Sequence, residues 1–185
     1  MKTANQQTKS NISKIVFYGP ESTGKTTLAK KMAEHFKTEW VPEFMRTYLQ
    51  DKLDKTGKRS EKSDIRPMVK GQLISENKLI KDASKFLFCD TNPLEVYVYA
   101  KIYFPDADFS WLDKLNMALN YDYYFLTYID TPWVADNLRD KPKDREMMYQ
   151  AFLDELKRRN KNFTILKGDI KTRTKTVIKT LKAIA

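Results

Sequence analysis

The chain has 185 residues, of which 41% are hydrophobic and 12% aromatic, and this composition excludes a disordered protein. A single cysteine, Cys89, excludes an internal disulfide and fits a reducing compartment. No apolar run approaches the roughly 20 residues that a membrane helix needs. We therefore expect one cytoplasmic domain over residues 14–185, after a flexible polar tail over 1–13 that lacks the apolar stretch of a signal peptide.

The net charge of +10 is concentrated at the end of the chain. From Lys157 onward there are ten basic residues and one acid, Asp169, so this stretch carries +9. Such a stretch can be a solvated helix face that weakly steers anionic ligands, or it can bind nucleic acid. We favour the solvated face, and we expect neither nucleic-acid binding nor membrane insertion. The sequence predicts no particular oligomeric state.

Apolar runs and helical periodicity alternate along the chain. The predicted strands cover 15–18, 39–41, 86–89, 123–127 and 163–166. The predicted helices cover 25–36, 43–53, 65–81, 93–103, 111–119, 145–159 and a last segment from 171, and the polar stretch 54–64 is predicted to be a loop. Short apolar strands separated by helices indicate an α/β fold, in which a five-stranded parallel sheet is covered by helices on both faces.

The turn after the first predicted strand, Gly-Pro-Glu-Ser-Thr-Gly-Lys-Thr at 19–26, matches the pattern G-x-x-x-x-G-K-[ST]. In this pattern backbone N–H groups surround phosphate oxygens, the lysine reaches the β- and γ-phosphates, and the hydroxyl binds Mg²⁺. An ordinary glycine turn is the alternative, but a strand before and a helix after favour the phosphate loop. The predicted ATP site comprises Gly19, Glu21, Ser22, Thr23, Gly24, Lys25, Thr26 and Thr27.

Acidic residues follow two of the predicted strands. Asp90 ends the third strand, where a carboxylate holds Mg²⁺ together with Thr26 or, alternatively, caps the next helix. Glu43 follows the second strand, with Arg46 one helical turn further on. Glu43 is a candidate to take the proton from an acceptor hydroxyl and Arg46 to hold substrate; a surface ion pair is the alternative.

A charged segment with two prolines, 131–145, is the predicted lid. Cations that close on a transferring phosphoryl group stabilise it while the lid excludes water. Arg139 is the catalytic candidate and Arg145 an ATP-binding candidate, whereas a generic charged loop is the alternative. Trp133 in this segment is either a core residue or an aromatic platform for a substrate ring.

Together these motifs resemble the ribosylnicotinamide kinase domain of the bacterial bifunctional NAD-biosynthesis and regulator proteins. The resemblance runs from residue 15 to 168 and includes, besides the phosphate loop, Val-Pro-Glu-Phe-x-Arg at 41–46, Phe-x-Asp-Thr-Asn at 88–92, Tyr-Asp-x-Tyr-x-Leu-Thr at 121–127 and Pro-Trp-Val-Ala-Asp-x-x-Arg at 132–139. It implies a three-layer P-loop NTPase fold of the kinase type, with ATP and Mg²⁺, that phosphorylates nicotinamide riboside to nicotinamide mononucleotide.

The resemblance also implies roles for single residues. It places Gly24, Lys25 and Thr26 at ATP, Asp90 at the metal, and four residues near the substrate: Glu43, Arg46, Asp136 and Arg139. The chain departs from the family at Asn92, where the family usually has aspartate, and we expect this to remove a carboxylate beside the metal. It also lacks the His-x-Gly-His signature of the family's adenylyltransferase domain, so we expect no NAD synthesis. Another small-molecule kinase, a simple ATPase and a non-catalytic ATP-binding module remain alternatives.

Overall fold

Five parallel strands form the centre of the fold in a computed structural model, which describes residues 6–138 and 143–184. They are β1 (Ser13–Tyr18), β2 (Trp40–Val41), β3 (Phe86–Asp90), β4 (Tyr123–Thr127) and β5 (Phe163–Leu166). Their order across the sheet is β2-β3-β1-β4-β5, and each pairing is parallel. The carboxyl ends of the strands therefore lie at one edge, where ligands bind in open α/β sheets.

The described helices begin and end close to the predicted positions. They are α1 (Lys25–Phe36), α2 (Phe44–Thr56), α3 (Ile65–Leu79), α4 (Pro93–Tyr103), α5 (Ser110–Ala118), α6 (Arg145–Arg158) and α7 (Ile170–Ile184), with a 3-10 turn at Lys62–Asp64. The predicted loop over 54–64 is shorter than expected, because α2 continues until Gly57 adopts a left-handed conformation and its N–H donates to the Leu53 carbonyl.

The two faces of the sheet carry separate hydrophobic cores, as the alternation of side chains along a strand requires. Ile15 and Phe17 of β1 pack with buried residues of α1 and α7 on one face. Val16 and Tyr18 pack with residues of α3, α4, α5 and α6 on the other. The prediction of a three-layer α/β fold with a five-stranded parallel sheet is therefore confirmed.

Helix α7 buries the middle of its apolar face, Val177 and Leu181, while the two ends of that face are exposed. The apolar periodicity predicts Ile170, Val177, Leu181 and Ile184 as one buried face, but Ile170 is 42% and Ile184 51% exposed. Arg173 takes the inward position one turn before Val177 and is 2% exposed. A charged residue is buried here because backbone carbonyl groups surround it, as described below.

The segment before β1 is not free where the structure describes it. The Thr8 N–H donates to Asn77 Oδ1 of α3 at 2.7 Å, and Asn77 Nδ2 donates to the Gln6 carbonyl at 2.7 Å. Residues 6–8 of the expected flexible tail therefore lie against α3. Across the described residues, no helix combines the length and apolar character needed to cross a membrane.

Candidate active site

The phosphate loop connects β1 to α1, and its glycines are required by conformation and space. Gly19 has φ +136°, and a Cβ there would lie 2.8 Å from Thr127 Oγ1 and 3.0 Å from the Thr127 carbonyl oxygen. Gly24 has φ +82° and immediately precedes α1. The loop therefore curls at the N-terminus of α1, whose free N–H groups and dipole favour a phosphate.

Lys25 is buried in the first turn of α1, and three oxygen atoms lie around its ammonium group. Its Nζ donates to the carbonyl oxygens of Gly19 at 2.7 Å and Pro20 at 2.8 Å, and lies 3.3 Å from Glu95 Oε1. Burial works to lower the pKa of Lys25, but nearby carboxylates, Glu95 foremost, raise it above its usual value. Lys25 is therefore held as a cation beside the loop that would bind phosphate.

Thr26 and Asp90 form the expected pair for a metal ion. Thr26 Oγ1 donates to Asp90 Oδ2 at 2.5 Å, while Asp90 Oδ1 is buried without a hydrogen-bond partner. Burial raises the pKa of Asp90, against the opposing effects of Lys25 and the Thr26 hydroxyl. A hydroxyl and a carboxylate with a spare oxygen suit Mg²⁺, which prefers oxygen ligands.

No group of three or more histidine, cysteine, aspartate or glutamate residues within 6–138 and 143–184 is arranged to hold a metal. Mg²⁺ usually binds through one or two protein groups together with substrate phosphates and water. The residues at this site therefore fit a magnesium ion that arrives with a nucleotide.

Glu43 and Arg46 lie at the start of α2, and both line the same cavity as the phosphate loop. The guanidinium of Arg46 forms a short ion pair with Asp136, in the segment predicted as the lid. Burial works to lower the pKa of Arg46, but its bond to Asp136 raises it above the usual value. The structure thus brings Arg46 and Asp136 together and leaves both Glu43 and Arg46 facing the cavity.

The beginning of the predicted lid is attached to the tip of the phosphate loop. Ser22 Oγ accepts a hydrogen bond from the Val134 N–H at 2.9 Å, and the Ser22 carbonyl accepts one from Thr131 Oγ1 at 2.8 Å. Arg145, at the other end of the lid, donates to the Thr131 carbonyl at 2.9 Å. Both ends of the lid therefore contact the loop or each other, while Arg139 lies outside the described residues.

Trp133 is half-buried, and its ring lies 5.7 Å from the guanidinium carbon of Arg145. Neither residue is among those that line the main cavity. Burial lowers the pKa of Arg145, which donates to backbone carbonyl groups in this arrangement. Their contacts with substrate and ATP, respectively, stay predictions, although Arg145 already reaches the Ser22 carbonyl of the phosphate loop at 3.5 Å.

The main cavity has a volume of about 520 Å³, which suits a small ligand. The phosphate loop lines one end, with Lys25 and Glu95. Apolar and aromatic side chains from α2, α3 and α4 and their ends line the rest: Met45, Leu49, Ile65, Met68, Val96, Tyr99, Tyr103 and Phe104. The aromatic surface of the cavity therefore comes from α4, which the sequence interpretation did not single out.

Glu95 is a site residue that the motifs did not reveal. It lies in the first turn of α4, is 1% exposed, and its Oε2 atom has no hydrogen-bond partner. Burial, above all, raises its pKa well above the usual value, although Lys25 acts in the opposite direction. An acid in the first turn of a helix ordinarily indicates only a dipole partner, so its role depends on contacts that sequence spacing does not show.

Arg173 is a second residue that the sequence interpretation missed, because it was counted with the solvated basic face. Its guanidinium donates to the carbonyl oxygens of Thr23 at 2.6 Å, Gly168 at 2.8 Å and Tyr128 at 3.0 Å, and forms a short ion pair with Asp130. It therefore joins the phosphate loop to the ends of β4 and β5. The lysines of α7, in contrast, are exposed as expected.

The side chain of Asn92 contacts the start of α4 and a tyrosine of β4. It is fully buried as the N-cap of α4, where Oδ1 accepts from the Glu95 N–H at 3.4 Å and Nδ2 donates to the Tyr124 hydroxyl at 3.0 Å. These contacts direct its side chain to the helix terminus and to β4. The Asn92 side chain therefore caps α4 in this structure, and its effect on metal binding stays a prediction.

Comparison with known proteins agrees with this geometry. A family model described as an AAA domain (AAA_28) matches residues 14–173. The trifunctional NAD biosynthesis/regulator protein NadR of Salmonella typhimurium is 28% identical over 155 residues, and that of Escherichia coli is 28% identical over 151. These matches cover 83% and 80% of the chain, but the chain spans only 38% and 37% of the length of these relatives.

Solved structures give the same fold. A crystal structure of NadR in complex with NR has a TM-score of 0.79 at 21% identity and covers 94% of this chain and 51% of that one. A NadR complex with NAD and AMP-PNP has a TM-score of 0.75 at 20% identity, covering 94% and 49%. Thymidylate kinase from Ehrlichia chaffeensis has a TM-score of 0.68 at 19% identity, covering 94% and 100%.

Proposed function

Because the chain belongs to the AAA domain family AAA_28, we propose that it is an ATP-dependent kinase whose acceptor is nicotinamide riboside, with nicotinamide mononucleotide as product. One observation carries this proposal: a cavity of about 520 Å³ is lined partly by Lys25 and by Thr26, which donates to Asp90, and partly by aromatic side chains. A nucleoside with a flat base matches that division. The similarity to the NadR proteins supports nicotinamide riboside among the nucleosides.

The donor end of the cavity would hold ATP. The backbone N–H groups of the phosphate loop surround the phosphates, and Lys25 neutralises charge on the β- and γ-oxygens. Thr26 and Asp90 would hold Mg²⁺, which neutralises further charge on the transferring group when it is bound. Arg139 and Arg145 remain candidates to close on that group as part of the lid.

At the acceptor end, a primary hydroxyl must approach the γ-phosphate. Glu43 lies at the end of β2 and lines the cavity, so it can orient this hydroxyl and take its proton. Arg46 and Asp136, which pair with each other, would then contact the sugar. Tyr99 and Tyr103 line the cavity, and stacking of a cationic pyridinium on either ring would contribute an attraction on the order of 1–2 kcal/mol in a desolvated site.

The test compares kcat/KM for nicotinamide riboside, adenosine, cytidine and thymidine, with ATP and Mg²⁺ saturating. We expect nicotinamide riboside to be the preferred acceptor by roughly 5- to 30-fold, which is the rate equivalent of that cation–π contribution. Tyr103→Leu should reduce this preference while leaving turnover of neutral nucleosides nearly unchanged. A different preferred nucleoside would overturn the substrate and leave the kinase class intact.

The alternatives of an ATPase and a binding module are separated in the same experiment. A kinase releases ADP in proportion to phosphorylated acceptor, an ATPase releases phosphate without any acceptor, and a binding module gives neither product. We expect ADP formation to depend on acceptor. Acceptor-independent phosphate release at the same rate would contradict the proposal.

A further inference from the structure

The starting observation is that the ammonium group of Lys25 donates two hydrogen bonds and forms an ion pair with Glu95 in this structure. An ammonium group has three N–H donors. Two of them reach the Gly19 and Pro20 carbonyls, and the third faces Glu95 Oε1 at 3.3 Å. A nucleotide whose phosphates contact Lys25 must therefore displace at least one of these partners.

Of the three partners of Lys25, Glu95 can be displaced by phosphate with the smallest change in structure. The two carbonyl groups belong to the phosphate loop, where a shift would move the backbone that cradles the phosphates. Glu95 is a side chain on α4, on the acceptor side, and it lines the same cavity. Phosphates that draw Lys25 toward themselves would therefore weaken the pair between Lys25 and Glu95.

A buried carboxylate that loses its cation needs another partner, since an unpaired buried charge is costly. Glu95 is 1% exposed, and its Oε2 atom already has no hydrogen-bond partner. The groups of like charge around it, Glu43 and Asp90, cannot donate to it when ionised. One candidate donor within the protein is the Tyr18 hydroxyl, which is buried without a hydrogen-bond partner and interacts electrostatically with Glu95. Because Glu95 lines the cavity, a hydroxyl group that enters the cavity is the other source of a donor.

We propose that Glu95, which forms an ion pair with Lys25 in this structure, is an acceptor-binding residue that the binding of ATP to Lys25 makes available to a hydroxyl of the acceptor. This proposal rests on the proposed kinase function and adds a carboxylate to the acceptor site. It also gives a reason for ordered use of the two substrates: nucleotide binding prepares the acceptor site. Coupling between two ligands is reciprocal, so the acceptor would also strengthen nucleotide binding.

The test uses Glu95→Gln, which keeps the shape of the side chain and removes its charge. Titration calorimetry measures the Kd of AMP-PNP with Mg²⁺ alone, and then the Kd of nicotinamide riboside with and without that nucleotide. We expect Glu95→Gln to bind the nucleotide more tightly, by several-fold, since Lys25 is less strongly held. We expect Glu95→Gln to bind the nucleoside more weakly. In the parent, nucleotide should lower the Kd of the nucleoside on the order of fivefold or more, and this effect should be absent in Glu95→Gln.

A purely structural role for Glu95 predicts a different pattern. If Glu95 only holds Lys25 in position, its loss weakens binding of nucleotide, and that result would overturn the proposal. Unchanged nucleoside affinity or intact coupling in Glu95→Gln would overturn it as well. Glu76→Gln is the matched control, because Glu76 is a buried carboxylate on α3 outside the cavity, and it should leave both dissociation constants unchanged.

Failure of the proposed function gives a separate result. If the parent binds AMP-PNP but none of the nucleosides, nicotinamide riboside is not the acceptor. The effect of Glu95→Gln on nucleotide affinity then still tests whether phosphate replaces Glu95 as the partner of Lys25. Tighter nucleotide binding would support this replacement, and weaker or equal binding would contradict it.

Discussion

At the scale of single residues, the site depends on opposite charges confined to a small buried volume. Lys25 lies beside Glu95, and its neighbour Thr26 donates to Asp90. Burial raises the pKa of both carboxyl groups, so each depends on the cation or hydroxyl next to it to remain useful as an anion. Each of these side chains therefore has a chemical role that its charge, more than its shape, determines.

Asp90→Asn is expected to separate metal binding from packing. The amide oxygen can still accept from Thr26, but it carries no charge for Mg²⁺. The concentration of free Mg²⁺ at half-maximal activity should therefore rise on the order of 10- to 100-fold. Activity measured against free Mg²⁺ at saturating ATP tests this, with the exposed Asp154→Asn as control. An unchanged magnesium curve would restrict Asp90 to orienting Thr26.

At the scale of elements, the sheet and the phosphate loop could be predicted because their signals are local. The pattern from Gly19 to Thr26 and the apolar run of β3 before Asp90 each lie within a few consecutive residues. Glu95 and Arg173 could not be found this way, since burial of each depends on segments far away in the chain. Arg173, for example, contacts Thr23, which is 150 positions earlier.

The ends of helices likewise could be predicted only where the sequence carries a local signal. α1 begins directly after Gly24 of the phosphate loop, as the pattern predicts, whereas the cap of α4 is Asn92 and not the Asp90 that the sequence offered as an alternative. The run of polar residues after Leu53 suggested the end of α2, but polar residues are compatible with an exposed helix, and the chain turns only at Gly57. The identity of the cavity's aromatic side chains was equally hidden, because α4 is apolar on several sides and its periodicity selects no face.

The role of α7 as a support for the phosphate loop gives a prediction. Arg173→Ala would leave the Thr23, Gly168 and Tyr128 carbonyls without this donor and Asp130 without its cation. We expect a loss of roughly 3–5 kcal/mol in the free energy of unfolding. Because Thr23 belongs to the phosphate loop, the Kd for ATP should also rise.

Arg173→Ala has two matched controls: a substitution elsewhere on α7 and a conservative substitution at position 173 itself. Lys175→Ala removes an exposed cation from α7 and should change neither stability nor ATP affinity measurably. Arg173→Lys keeps the charge but cannot donate to all these partners at once, so it should fall between the parent and Arg173→Ala. Urea unfolding and nucleotide titration provide both quantities. Parent-like stability of Arg173→Ala would show that the buried contacts are dispensable.

At the scale of the whole molecule, positive charge is distributed unevenly and a solvated face carries much of it. Lys171, Lys175, Lys179 and Lys182 are all exposed on α7. Four cations on one helix would neutralise at most four phosphates, which corresponds to a salt dependence with a slope of about −3.6. That is too little for firm binding at physiological salt, so the face is better suited to steering an anionic nucleotide.

We therefore expect no binding of duplex DNA tighter than roughly 10⁻⁴ M near 150 mM salt. Fluorescence anisotropy with a labelled duplex at several salt concentrations measures this directly. A variant with Lys175 and Lys179 replaced by glutamine should behave like the parent in this assay. Tight binding that falls steeply with salt and is lost in the double variant would instead support the nucleic-acid interpretation.

Stability of the whole molecule should depend on pH through buried acids, and Glu76 is one of them that lies outside the cavity. Tyr121 Oη lies 2.9 and 3.0 Å from its two carboxylate oxygens, and Gln7 of the N-terminal segment donates to it at 3.4 Å. Burial raises its pKa to about 7, against the opposing effects of Lys14 and these hydrogen bonds. The folded protein therefore keeps a proton on Glu76 over a pH range in which the unfolded chain, with a pKa near 4.5, has lost it.

The direction in which stability changes with pH follows from this difference in bound protons between the folded and the unfolded protein. The contribution is complete below about pH 4.5, falls as the pH rises, and is lost above about pH 7, with a total change on the order of 3 kcal/mol. Glu76→Gln cannot ionise, so its unfolding free energy relative to the parent should increase between pH 5 and about 7.5 and then remain level. Urea unfolding of both proteins across this range measures the difference, with the exposed Glu34→Gln as control. A difference that stays constant with pH would mean that Glu76 is ionised in the folded protein, and that its hydrogen bonds and Lys14 outweigh its burial.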